Sequence, residues 1–108
     1  MAPPIEFLID SSESIAELAA ELNTLLNIEL ESESDTHYAY RALTLTLDLH
    51  ELDPSIPQDS DGYRYQITIN GIFGDEGQRT KWTQDWAHAI HQSLKSTQKY
   101  RLKRMDRR

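Results

Sequence analysis

From residue 41 to residue 52 the chain reads RALTLTLDLHEL, with a leucine at every second position: Leu43, Leu45, Leu47 and Leu49. A period of two fits a β-strand with one buried face, because successive side chains point to opposite sides of a sheet. A helix would scatter the same leucines around its circumference. The pattern predicts one long strand over residues 38–52. Its leucines are covered by another layer, and Thr44, Thr46, Asp48 and His50 turn away from that layer. Tyr38 and Tyr40 share the parity of the polar side.

Two segments have the apolar stripe that such a cover requires. Ile15, Leu18, Ala19, Leu22, Leu25 and Leu26 recur at helical spacing, with Glu13, Glu17 and Glu21 on the opposite side. They predict a helix over residues 12–27, capped by Ser11 or Ser12. Trp82, Trp86, Ile90 and Leu94 step by four and predict a second helix over residues 79–97 with a core-facing stripe. Ile5 to Ile9 read as a first strand, and Tyr63, Tyr65, Ile67 and Ile69 as a strand ending near Phe73. Tyr100, Leu102 and Arg104 alternate briefly, predicting a last short strand that fades into a basic, disordered tip over residues 103–108. The acidic, serine-rich stretch IELESESDTH reads as a loop, as do DPSIPQDSDG and GDEGQ. The predicted order is βαββαβ. That is a single α+β domain over residues 1–108, a two-layer sandwich of ferredoxin-like order with two helices on one face of a mainly antiparallel sheet.

Charge narrows the partners. The net charge of −7 divides unevenly: residues 1–94 hold seventeen acids and four basic residues, whereas residues 95–108 hold one acid and seven basic residues. An acidic body repels nucleic acid and anionic membrane and attracts basic surfaces. The basic tail reads as an edge strand that discourages sheet-to-sheet aggregation and pairs with the acidic body. With no cysteine there is no disulfide or thiolate chemistry. No apolar run approaches the ~20 residues of a membrane span. The opening MAPPIEFLIDSSES lacks the basic start of a signal peptide, so a cytoplasmic location is expected.

Several constellations invite chemistry and are weaker than they look. Asp48 and His50 would project from one face as a catalytic or metal pair, with Arg64 on the next strand, but no third ligand or orienting group can be placed from the sequence. Asp85, His88 and His91 follow at three-residue steps, without the His-Glu-x-x-His pattern of a helical zinc site. The DSDG at residues 59–62 lacks the first-position acid and closing glutamate of a calcium loop, and GIFGDEGQ lacks the Lys-Ser/Thr of a phosphate loop. No catalytic residue, metal ligand or cofactor is expected.

The run YRALTLTLDLHELDPSIPQDSDGYRYQITI, residues 40–69, resembles a group of small acidic bacterial proteins of unassigned function, some of which act as immunity proteins that neutralise a cognate toxin. The resemblance rests on strand patterning, carries no functional residue across, and does not extend to the basic tail. It implies inhibition by protein binding. From the charge layout, the expected function is a non-enzymatic module whose acidic surface captures a basic protein. Glu29, Glu31, Glu33, Asp35, Asp53, Asp59 and Asp61 would steer the partner, with packing from Tyr38, Tyr40 or Trp82. The alternatives are a small enzyme using the open sheet face and a homodimer or larger homo-oligomer built through the sheet edge or tail.

Overall fold

A computed structural model describes residues 4–52 and 63–105. The elements run β1 (Ile5–Asp10), α1 (Ile15–Leu26), β2 (Glu31–Ser34), β3 (His37–Arg41), β4 (Leu45–Glu51), β5 (Tyr65–Gly71), α2 (Glu76–Thr97) and β6 (Arg101–Met105). The six strands form one antiparallel sheet in the order β2-β3-β4-β5-β1-β6. The fold is α+β with two helices, as expected, but its order is not the βαββαβ ferredoxin-like one. Four strands, not two, separate the helices.

The discrepancy lies in the leucine-rich stretch. It is a hairpin, not one strand: the Ala42 N–H donates to the Leu45 carbonyl at 3.0 Å, and Leu43 and Thr44 make a two-residue turn. Such turns usually carry Asn-Gly or Gly because they need positive φ. Among the described non-glycine residues, only Asn27 and Gln98 have positive φ, so this turn uses ordinary backbone and leaves no sequence signal. The reversal pairs Tyr38 with Leu49 and Tyr40 with Leu47. Odd residues of β4 therefore share a face with even residues of β3. Tyr38 and Tyr40 pack on the helix side, contrary to the parity of an unbroken strand, and Leu43 is 90% exposed at the tip.

β2 was expected to be loop. Beyond α1 the chain turns through Asn27 at φ 53°, and the Asn23 side chain accepts the Leu30 N–H at 2.8 Å. This seats Leu30 in the core and launches β2 along β3. All four β2 residues are exposed, and a short charged edge strand of this kind resists adventitious strand pairing. At the other edge, β6 is regular strand as far as Met105, so residues 103–105 belong to a strand, and the rest of the expected tip lies outside the described residues.

The core lies between the sheet and the helices. Phe7 and Ile9, Leu45, Leu47 and Leu49, and Tyr65, Ile67 and Ile69 meet Leu18, Leu22, Ala87, Ile90 and Leu94. Ser14, not Ser11 or Ser12, caps α1. Its hydroxyl accepts the Glu17 N–H while the Glu17 carboxylate accepts the Ser14 N–H. Asp75 and Gln78 repeat this box at the start of α2, which therefore begins three residues before the predicted helix. Gly71 lets α2 approach: its N–H donates to Thr83 Oγ1 at 2.8 Å, and a Cβ there would collide with the Arg79 carbonyl. Thr83 and Ala87, not the two tryptophans, hold the first two buried positions along α2.

The hairpin separates leucines that look equivalent. Leu47→Ala is expected to cost 2–5 kcal/mol, since it opens a cavity in the core. Leu43→Ala should change stability by less than about 0.5 kcal/mol. Urea unfolding midpoints of the two variants check this, and equal losses would restore the unbroken strand.

Candidate functional site

The hairpin register gathers polar chemistry on the sheet face opposite the helices. His37 lies opposite His50 across β3 and β4, and Asp48 precedes His50 by two residues on the same side. The two imidazoles stack with centroids 4.0 Å apart and planes inclined by 16°. His37 Nε2 is 2.8 Å from Asp48 Oδ1, and these two side chains are only 23% and 20% exposed. One donor atom from each of His37, Asp48 and His50 lies within 4.8 Å of the others. Arg41, one turn of the pleat along β3, brings Nη1 to 3.8 Å from the same Asp48 oxygen while Nη2 is 3.2 Å from Glu33.

Burial lowers the pKa of His50 below its ordinary value, the neighbouring His37 lowers it further, and Asp48 opposes both. His50 is therefore a neutral imidazole at neutral pH, with a lone pair to offer as a base or ligand. Two imidazoles and a carboxylate form a recurrent donor set for divalent transition metals. The third member, His37, is what the sequence could not supply. It comes opposite His50 only through the reversal at Leu43–Thr44. Arg64, expected beside this pair, points elsewhere. It donates to the Ser11 carbonyl at 3.1 Å and lies 4.0 Å from Glu51.

The residues expected to bind protein divide into two groups. Glu29, Glu31, Glu33 and Asp35 are exposed along and beside β2, and Glu33 pairs with Arg41. Asp53, Asp59 and Asp61 lie outside the described residues, as does the DSDG motif. Tyr38 and Tyr40 are not on the open face. Tyr40 is half-buried under α2, stacked on Trp86 with centroids 6.0 Å apart. One helical turn away, Trp82 is 40% exposed. Trp82, Trp86, Leu25, Leu26, Asp85 and Ala89 line a groove of about 350 Å³ between the two helices. Because Trp86 rests on β3 and β3 pairs with β2, this groove and the acidic edge occupy the same flank.

The remaining candidates have structural partners. His91 stacks on Phe7, with centroids 5.8 Å apart, and His88 is exposed on α2. The glycine-rich GIFGDEGQ supplies the end of β5 and the cap of α2. The basic tail pairs with the acidic body. Lys99 Nζ is 3.0 Å from Glu21, Arg101 is 3.3 Å from Asp10 and lies over the Tyr63 ring, and the Tyr100 hydroxyl donates to Glu13 at 2.8 Å. Burial and that carboxylate push the Tyr100 hydroxyl well above the ordinary tyrosine range. Among the described residues no helix is long and apolar enough to cross a membrane. No family model, curated protein or solved structure matches the chain.

The histidine pair generates a prediction about protons. In NMR titration His50 should have a midpoint below 6.5. His37→Asn should raise it by removing the unfavourable electrostatic effect of the neighbouring imidazole, and Asp48→Asn should lower it further. Below 6.5 the unfolded chain binds this proton more readily than the fold does. Stability should therefore fall as pH drops from there to the folded midpoint, and His50→Asn should remove that part of the slope. A His50 midpoint at or above 6.5 contradicts the assignment.

Proposed function

We propose that the protein is a non-enzymatic binding module that captures a basic protein partner on the flank formed by β2 and the α1–α2 groove, an immunity-type inhibitor being the most concrete version. The observation that carries this reading is the adjacency of an exposed acidic edge and a tryptophan-lined groove. Glu29, Glu31, Glu33 and Asp35 supply a long-range field that speeds encounter and disfavours acidic competitors. Trp82 and Trp86, with Leu25 and Leu26, offer an apolar receptacle for one or two side chains of the partner. Such desolvated anchors contribute most of the affinity in protein interfaces. Exposed Leu43, Ile72 and Phe73 extend the apolar surface at the β3–β4 turn, where the Ile72 N–H donates to the Thr44 carbonyl.

A partner retained from lysate of the source cell supplies the test. Against it, the Glu29→Gln/Glu31→Gln/Glu33→Gln variant should associate several-fold more slowly at low salt, with little change in dissociation. Trp82→Ala should mainly speed dissociation, by roughly 30-fold for an anchor worth about 2 kcal/mol. Stopped-flow kinetics separate the two effects. Unchanged association and dissociation in both variants would remove this flank from the interface.

A second reading, a homo-oligomer, is favoured by one observation: the sheet ends in an acidic edge, β2, and a basic edge, β6. Like edges repel, so only β2 of one copy against β6 of the next is complementary, a head-to-tail arrangement that closes into a ring or extends. Light scattering should then show a mass that rises with concentration and falls with salt; a constant monomer mass removes it.

A further inference from the structure

We propose that His37, Asp48 and His50 form a binding site for a divalent transition-metal ion of the zinc class on the open face of the sheet. The two strands that carry them are paired in register, so the three side chains rise from neighbouring positions of one face and do not depend on a loop. Donors bound to one zinc ion each lie about 2.0–2.2 Å from it, so pairs of them are separated by roughly 3–4 Å. His37 Nε2 and Asp48 Oδ1 are already at 2.8 Å, and a separation of up to 4.8 Å for the remaining donor closes by rotating an imidazole about its χ angles. The ion would take the place of the hydrogen bond that now joins His37 and Asp48.

The chemistry of the set matches a borderline ion. Imidazole nitrogen suits zinc, cobalt, nickel and copper, whereas magnesium and calcium prefer all-oxygen sites. The His37 and Asp48 side chains are about four-fifths buried, and Ala39 beside Asp48 is itself buried. Arg41 is the opposing charge. It approaches Asp48 at 3.8 Å but has a closer acceptor in Glu33 at 3.2 Å, which gives it a place to stand when the site is loaded. Three protein donors leave at least one coordination position for water or for a group contributed by a bound molecule. This is the geometry of an accessible centre, not a closed structural one. The site stands on the hairpin register alone and does not require the binding flank proposed above.

The test uses the full chain freed of metal, titrated with zinc by calorimetry and with cobalt by visible absorption. One equivalent per chain should bind with micromolar or tighter affinity, and cobalt should give ligand-field bands. His37→Ala, His50→Ala and Asp48→Asn should each weaken zinc at least about tenfold with far-ultraviolet circular dichroism unchanged. The control variant His88→Ala/His91→Gln should bind as the wild type does. The unmodified protein gives a second readout that needs no variant. Of its four histidines, only His37 and His50 should shift in NMR spectra at substoichiometric zinc. No saturable binding, or binding that survives loss of His50 and disappears with His88 and His91, overturns the proposal.

Discussion

The two-residue reversal at Leu43–Thr44 sets the register of the outer half of the sheet, and most of what is distinctive in this protein follows from it. An antiparallel hairpin closed by a two-residue turn pairs odd positions with even ones. Tyr38 and Tyr40 thereby join Leu47 and Leu49 under the helices, where Tyr40 meets Trp86. Along the opposite face the same register lines up His37 with His50 and seats Ala39 beside Asp48. A slip of β3 by one residue would expose both tyrosines and turn His37 toward the helices, leaving His50 without its neighbour. Burial of the aromatic rings on one side thus holds the polar cluster in place on the other, which is how a packed layer can position chemistry it never touches.

The inner half of the fold was legible because its local and tertiary signals agree. In β5 and α1 the period of the apolar residues matches the element, and Ile67, Ile69, Leu18 and Leu22 are buried where their spacing requires. Segments failed where the element is defined by its neighbours. β2 is strand only because β3 offers it a ladder; its sequence, Glu-Ser-Glu-Ser, has neither alternation of polarity nor β-branched residues. The four-residue step of Trp82, Trp86, Ile90 and Leu94 was read as a single core stripe. On a helix such a step drifts about 40° each time, so it winds from the core onto the surface. Ile90 and Leu94 are buried, Trp86 sits at the boundary, and Trp82 emerges into the groove. Within the candidate metal site, Asp48 and His50 were visible as a pair because they lie on one strand. His37 was not, since no glycine, asparagine or proline marks the turn that folds it back.

Charge follows the sheet order and not the order of the chain. The basic C-terminal segment forms one edge, its Lys99 and Arg101 neutralised against Glu21 and Asp10. The acidic excess that remains is displaced toward the opposite edge, five strands away at about 4.8 Å per strand. That distance exceeds the Debye length at physiological salt, so the two edges act on approaching molecules separately. A cationic partner of the kind proposed would meet β2 without competition from β6, and strand pairing between like edges is disfavoured at both ends.

The acidic edge and the histidine cluster are linked through Arg41. This side chain divides its charge between Glu33, at the edge, and Asp48, within the cluster. A divalent ion at Asp48 would repel Arg41 toward Glu33 and add positive charge one strand in from β2, weakening the field that attracts a basic partner. Conversely, a basic side chain that engaged Glu33 would release Arg41 toward Asp48 and oppose metal binding. By linkage the two effects are equal in free energy. Metal and cationic partner are therefore expected to antagonise one another, and the coupling should vanish in Arg41→Ala only to the extent that this side chain, and not the direct field of the ion, transmits it.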